Sequence, residues 1–231
     1  MSTMTIDALD ESGSFAAYVA RPEGTPRAGI IVIQEIFGVN EGIRQKCEDF
    51  ARDGYLAVAP DLFWRLGPGI ELDADVPEEM QQAFDLFGKF DQDKGIADIE
   101  STIQVVRAEL GGGKVGAVGF CLGGRLAYMT ATRTDIDASV GYYAVGIDGL
   151  LGEKHAIAKS LMLHIPVADH FVTPEVQAKM HEGLDGHPKV TLYDYPGEDH
   201  GFAAELGKRR SEAAAQLADQ RTADFFAEHL A

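Results

Sequence analysis

The 231-residue sequence predicts one α/β domain spanning residues 1–231, with a mostly parallel central sheet and helices on both faces. Short apolar runs alternate along the chain with segments of helical periodicity. Most of these runs are continuously apolar, as strands buried on both faces require. No internal repeat, low-complexity tract or long linker divides the chain.

In order, segments 5–7 and 15–20 are expected to form a short antiparallel hairpin at one edge of the sheet. Strands are expected at 29–34, 55–59, 114–118, 138–144, 161–167 and 190–195. Helices are expected between and after them, at 42–53, 77–87, 95–110, 124–132, 174–184 and 207–229. In the third of these Ile96, Ile99, Ile103, Val106 and Leu110 recur on one stripe. Residues 63–94 mix acids with Phe84, Leu86, Phe87 and Phe90 after Gly67-Pro68-Gly69, and read as an excursion over the mouth of the sheet.

Composition narrows the function classes. A net charge of −17 argues against nucleic acid or an anionic membrane as partner. Two cysteines, Cys47 and Cys121, provide no disulfide framework. The amino-terminal residues lack the basic and apolar regions of a secretory signal, and no run approaches the roughly 18 apolar residues of a membrane span. A reducing, cytoplasmic setting and a monomer or small homo-oligomer are expected. The histidines and cysteines show no metal-ligand spacing, and Gly111-Gly112-Gly113-Lys114 precedes a strand instead of opening a helix, so no metal or cofactor is expected.

The chemistry concentrates at Gly119-Phe120-Cys121-Leu122-Gly123, directly after the apolar run 115–118. This is the G-x-S-x-G nucleophile elbow with a thiol replacing the hydroxyl. A sharp strand-to-helix turn strains the nucleophile's backbone, so small neighbours are needed, and Gly119 and Gly123 supply them. The Leu122 N–H, at the helix start, is placed to donate to an oxyanion. In an α/β-hydrolase the acid and then the base follow the nucleophile along the chain. Asp169 lies just beyond the expected strand 161–167, and His200 just beyond 190–195, so both sit on the rim that carries Cys121. A thiol of pKa about 8.5 needs a base beside it. His200 can take its proton while Asp169 orients the imidazole. Asp194 and Asp199 are rivals for the acid, but Asp194 falls inside a strand and Asp199 adjoins His200 too closely to reach its ring.

After the strand 29–34, Ile36 is the candidate for a second oxyanion donor. Glu35, next to it, is either an acid that accepts a hydrogen bond from the thiol or an ordinary buried acid satisfied by loop amides. Tyr142 and Tyr143 either line a pocket or fill the sheet. Cys47 falls on a helix core stripe with Ile43 and Phe50.

The blocks Gln34-Glu35-Ile36-Phe37-Gly38-Val39-Asn40, Ala59-Pro60-Asp61-Leu62-Phe63, 113–124, Asp169-His170-Phe171-Val172 and His200-Gly201-Phe202 resemble the dienelactone hydrolase family. The resemblance runs in order over nearly the whole chain. It implies an α/β-hydrolase that cleaves a small-molecule ester or lactone, with Cys121, His200 and Asp169 as triad and Glu35 beside the thiol. Original members act on a cyclic enol ester and hold its carboxylate with two arginines; those positions align here with Met80 and Ala204. Phe37, Met80, Phe84, Tyr142, Phe202 and Ala204 are the candidate substrate-binding residues. Arg65, Arg125 and Lys208 are the candidates to replace the missing cations. The competing reading is a non-catalytic binding protein or a thiol redox sensor of the same fold, although a sensor ordinarily uses a resolving cysteine.

Overall fold

The computed structural model describes residues 2–231. Its strands are β1 (Ser2–Asp7), β2 (Ser14–Ala20), β3 (Gly29–Ile33), β4 (Leu56–Pro60), β5 (Val115–Phe120), β6 (Ala138–Tyr142), β7 (Ser160–Pro166) and β8 (Val190–Tyr195). They form one sheet in the order β1-β2-β4-β3-β5-β6-β7-β8. The β1–β2 hairpin pairs antiparallel along β4, and every pairing from β4 to β8 is parallel. The helices are α1 (Glu41–Arg52), α2 (Pro77–Lys89), α3 (Gln92–Glu109), α4 (Leu122–Arg133), α5 (Pro174–Leu184) and α6 (Glu212–His229).

Side-chain alternation along the strands divides the core in two. Ile31 and Ile33 of β3 pack with Ile99 and Ile103 of α3 and Leu126 of α4. Ile30 and Val32 face the other way, toward Ile43 and Cys47 of α1 and Phe225 and Phe226 of α6. Cys47 is wholly buried there, and burial pushes its thiol pKa up. Strand order reverses at β3, which lies between β4 and β5, so the loops leaving β3 and β5 diverge and open a crevice at their carboxyl ends. Residues 34–40 and 121–124 border that crevice.

Three expectations about elements need correction. Strand β6 ends at Tyr142, not residue 144, because Tyr143 takes φ 38° and leaves the extended region. A 3-10 segment at Ile147–Ala156, interrupted by glycines in the sequence, was not anticipated. The last helix starts at Glu212, not residue 207: Gly207 adopts φ 85°, and the chain from 203 to 211 stays irregular.

The excursion expected over the sheet mouth is present as α2, and Arg65 ties its start to the body of the fold. Its guanidinium meets Asp98, which is fully buried on α3, and reaches Asp10 at 3.2 Å; the Trp64 indole also donates to Asp98 at 2.9 Å. Arg65 is therefore a structural cation. Removing one member of such a pair leaves a buried charge uncompensated, so Arg65→Met should cost about 3 kcal/mol in urea unfolding while kcat/KM stays within about threefold. A stability loss below about 1 kcal/mol would show that the pair is not what anchors this segment.

Candidate active site

The turn after β5 is built by backbone crowding. A Cβ on Gly119 would lie 1.9 Å from the Gly123 carbonyl oxygen, and one on Gly123 would lie 2.3 Å from that of Ile33. Only hydrogen fits at either position, which lets α4 begin directly against β3. Between the two glycines Cys121 adopts φ 56°, ψ −113°, a conformation costly for a residue with a side chain. The thiol is thereby held at the crevice, half-buried, at the amino end of α4. The Leu122 amide is the first of that helix and has no helical carbonyl to serve it. The Ile36 amide donates no hydrogen bond among the described residues.

The His200 imidazole accompanies the thiol. Its Nδ1 lies 2.8 Å from Asp169 Oδ2, and both residues are only 4% exposed. Asp169 Oδ1 accepts from the Phe171 and Val172 amides at 2.8 and 3.2 Å, which fixes the carboxylate plane. His200 Nε2 has no partner. The rivals are engaged elsewhere: Asp194 pairs with His181, and Asp199 with His170 and the His200 amide. Burial pulls the His200 pKa down, but the charge of a Cys121 thiolate and the Asp169 carboxylate outweigh it and raise the value to about 10.

Glu35, on the loop that follows β3, is 7% exposed. Its Oε2 accepts from Arg209 Nη2 at 3.1 Å, while Oε1 has no partner. The Arg209 guanidinium also lies over Phe37, 5.3 Å from the ring centre. It covers the face of Gly201 (φ 80°), where a Cβ would come 2.6 Å from Nη1. Arg209 was not among the expected site residues. The signal available was Lys208-Arg209-Arg210, three consecutive cations in a strongly acidic chain, directly after a glycine. Of the proposed substitutes, Lys208 is exposed, with its amide bonded to Asp75, and Arg125 lies under Gly146.

A cavity of about 300 Å³ opens over Cys121 and His200. Met80, Phe84 and Phe87 of α2, with Phe37, Val145 and Phe171, make it largely apolar, and Arg209 is its one permanent cation. Phe37, Met80 and Phe84 thus lie where they were expected. Three candidates do not. Tyr142 points to the α6 face, with its hydroxyl 2.6 Å from Thr222 and 3.1 Å from Asp219. Phe202 is buried between Tyr143 and Tyr195. Ala204 lines a separate chamber behind Glu35. Asp169, His170 and Asp199 offer donor atoms within 4.8 Å of one another, but each is already committed to the hydrogen bonds described above. Among the described residues no helix is long and apolar enough to cross a membrane.

The parallel order, the elbow leaving the middle of the sheet and the acid and imidazole on successive later loops are those of an α/β-hydrolase. Comparison with known proteins narrows this. The model of the "Dienelactone hydrolase family" matches residues 15–230, and the chain belongs to that family. It is 46% identical to a protein of Azospirillum brasilense over all of both chains. It is 38% identical to carboxymethylenebutenolidase 1 of Cupriavidus pinatubonensis, with 93% of this chain and 92% of that one aligned. A crystal structure from Klebsiella pneumoniae superposes with a TM-score of 0.83 at 27% identity, covering 99% of this chain and 100% of the other. The chain is accordingly a hydrolase of ester or lactone bonds.

The raised His200 pKa has a direction that can be checked. An unfolded histidine titrates near 6.5. The stabilisation from charging His200 is therefore complete below about 6.5 and is lost as the pH climbs through about 10. Cys121→Ala should move the imidazole midpoint, followed by nitrogen NMR, from about 10 toward its ordinary value. A midpoint that does not move would remove the thiolate as the source of the shift.

Proposed function

We propose that the chain hydrolyses a lactone or ester through a Cys121 thioester. The observation that carries this reading is the alignment of Cys121, His200 and Asp169 beneath an apolar cavity, with the Leu122 and Ile36 amides free to donate. Attack by the Cys121 thiolate on the carbonyl carbon puts negative charge on the carbonyl oxygen. Those two amides stabilise it, without reorganising, in a largely apolar cavity. The His200 imidazolium then gives its Nε2 proton to the departing oxygen. In the second half, water attacks the thioester, neutral His200 takes a proton from it, and sulfur leaves as thiolate. Asp169 holds the Nδ1 proton and favours the charged ring throughout. Cys47 is wholly buried on α1 and not accessible as a resolving thiol, which weighs against the thiol-sensor alternative.

Arg209 bears on the substrate class. Met80 and Ala204 are uncharged, yet a guanidinium reaches the site from residue 209 and faces a cavity otherwise lined by apolar side chains. The substrate that matches is a compact unsaturated or aromatic ester or lactone carrying one carboxylate. The carboxylate would share Arg209 with Glu35, and Phe84, Phe87 and Phe171 would cover the rest. This agrees with the name carboxymethylenebutenolidase carried by the Cupriavidus relative.

Two measurements test the reading. Cys121→Ala should abolish the burst and steady turnover of a chromogenic aryl ester while circular dichroism stays native; residual activity near wild type would exclude the thiol as nucleophile. Arg209→Gln should lower kcat/KM for a carboxylate-bearing dienelactone by about ten- to a hundredfold, the equivalent of one charge-assisted contact. A neutral aryl acetate should change by no more than about threefold, since it offers Arg209 no such contact. Equal losses for the two substrates would assign Arg209 to holding Glu35 and not to substrate.

A further inference from the structure

A second chamber, of about 270 Å³, lies behind the Glu35–Arg209 pair. It shares Phe37 and Arg209 with the substrate cavity but is otherwise distinct, bordered by Asn40, Lys46, Asp73, Ala204 and Glu205 among others. Where the front cavity is apolar, this one is lined by charges. Two buried polar atoms on its wall, Glu35 Oε1 and the Tyr143 hydroxyl, have no partner at ordinary hydrogen-bond geometry, although the hydroxyl lies close enough to the Glu35 carboxylate to interact with it. Tyr143 is 1% exposed and held at φ 38°, with its ring against His200 at 5.0 Å between centres. An unpaired buried hydroxyl costs about 1–3 kcal/mol, and left-handed backbone costs a tyrosine more. Phenylalanine would fill the same space without the first cost, so the hydroxyl is there for something other than packing.

Resting on the hydrolase reading above, we propose that this chamber supplies the water of the second half-reaction, and that Tyr143 and Glu35 position that water. Burial, and then the neighbouring Glu35 carboxylate, raise the Tyr143 pKa well above its ordinary value, so the hydroxyl stays protonated and is a donor. Glu35 Oε1 is an acceptor. A water between them receives one hydrogen bond and gives one, which leaves its second proton and second lone pair for chemistry. At about 30 Å³ per molecule the chamber has room for several waters behind it. Once the acyl group fills the front cavity, that route is closed to solvent, and the rear remains open. The oxygen of the delivered water bonds to the thioester carbon, its proton passes to His200 Nε2, and the C–S bond breaks with its electrons on Cys121 Sγ. The acid product leaves through the front cavity.

The test separates the two half-reactions. Acylation is followed as the burst of an aryl ester, and decay of the thioester by mass spectrometry after a single turnover, in Tyr143→Phe and in Ala204→Leu. The second variant fills the chamber without touching either polar atom. Both should acylate within about twofold of wild type and lose the thioester about tenfold more slowly, one hydrogen bond's worth of barrier. Unchanged decay in both variants, or acylation and decay falling in parallel, would overturn the chamber's role. Absence of any thioester in the wild-type chain would instead overturn the hydrolase mechanism, and this proposal with it.

Discussion

The close approach of α4 to the sheet is the constraint on which the rest of the site depends. Gly119 touches Gly123, Gly123 touches the Ile33 and Gln34 carbonyls, and Gly124 packs against the Tyr142 carbonyl, so the first turn of α4 is wedged between β3 and β6. That wedge forces φ 56° on Cys121. The strain, about 1–3 kcal/mol, is sustained because β5 lies in the middle of the sheet, paired on both sides. An edge strand could relax by shifting, and the thiol would turn away from the crevice. Here the backbone cannot yield without separating strands, and the Cys121 thiol, the Leu122 amide and the loop carrying Ile36 keep one mutual geometry.

The second organising element is the Glu35–Arg209 pair, and it explains the form of the segment from 203 to 211. A carboxylate that is 7% exposed needs a cation, and the cation must come from a chain segment able to double back. Gly201 and Gly207, both at positive φ, provide the reversals, and the Ser211 amide bonds the Phe202 carbonyl at 2.8 Å to close the loop. Had α6 begun at residue 207, Arg209 would stand on a helix whose inner face packs on β6 and β7, away from Glu35.

These particulars show what the sequence could and could not reveal. Cys121, Asp169 and His200 were legible because each follows a strand of a parallel sheet, and such a sheet delivers all its strand ends to one rim. Met80, Phe84 and Phe37 were legible for a related reason, lying on the excursion over that rim and on the loop after β3. Arg209 was not, because its position depends on a nonlocal contact with Glu35 across 174 residues, and because the local periodicity beyond residue 207 reads as helix. Tyr142 and Tyr143 could not be told apart from sequence. Strand alternation sends the first to the α6 face, and the break at φ 38° then redirects the second to the site. Ala204, expected from the resemblance at the substrate, lines the rear chamber, and the guanidinium at the cavity comes from Arg209, five residues further on.

The carboxylate-bearing substrate proposed above has to approach a chain of net charge −17, and the two are reconciled on length scale. At physiological ionic strength the screening length is about 8 Å, so most surface carboxylates exert little field inside the crevice. Arg209 stands against the cavity itself, three-quarters shielded from solvent, where a charge acts through a low-dielectric path. Its nearest opposing charge, Glu35, engages Arg209 with one carboxylate oxygen only. The guanidinium therefore keeps donors for a second anion at the front. For the proposed carboxylate-bearing substrate, the global charge slows approach at low salt, and the local charge at Arg209 decides whether it stays. Affinity and encounter are thus set by different residues.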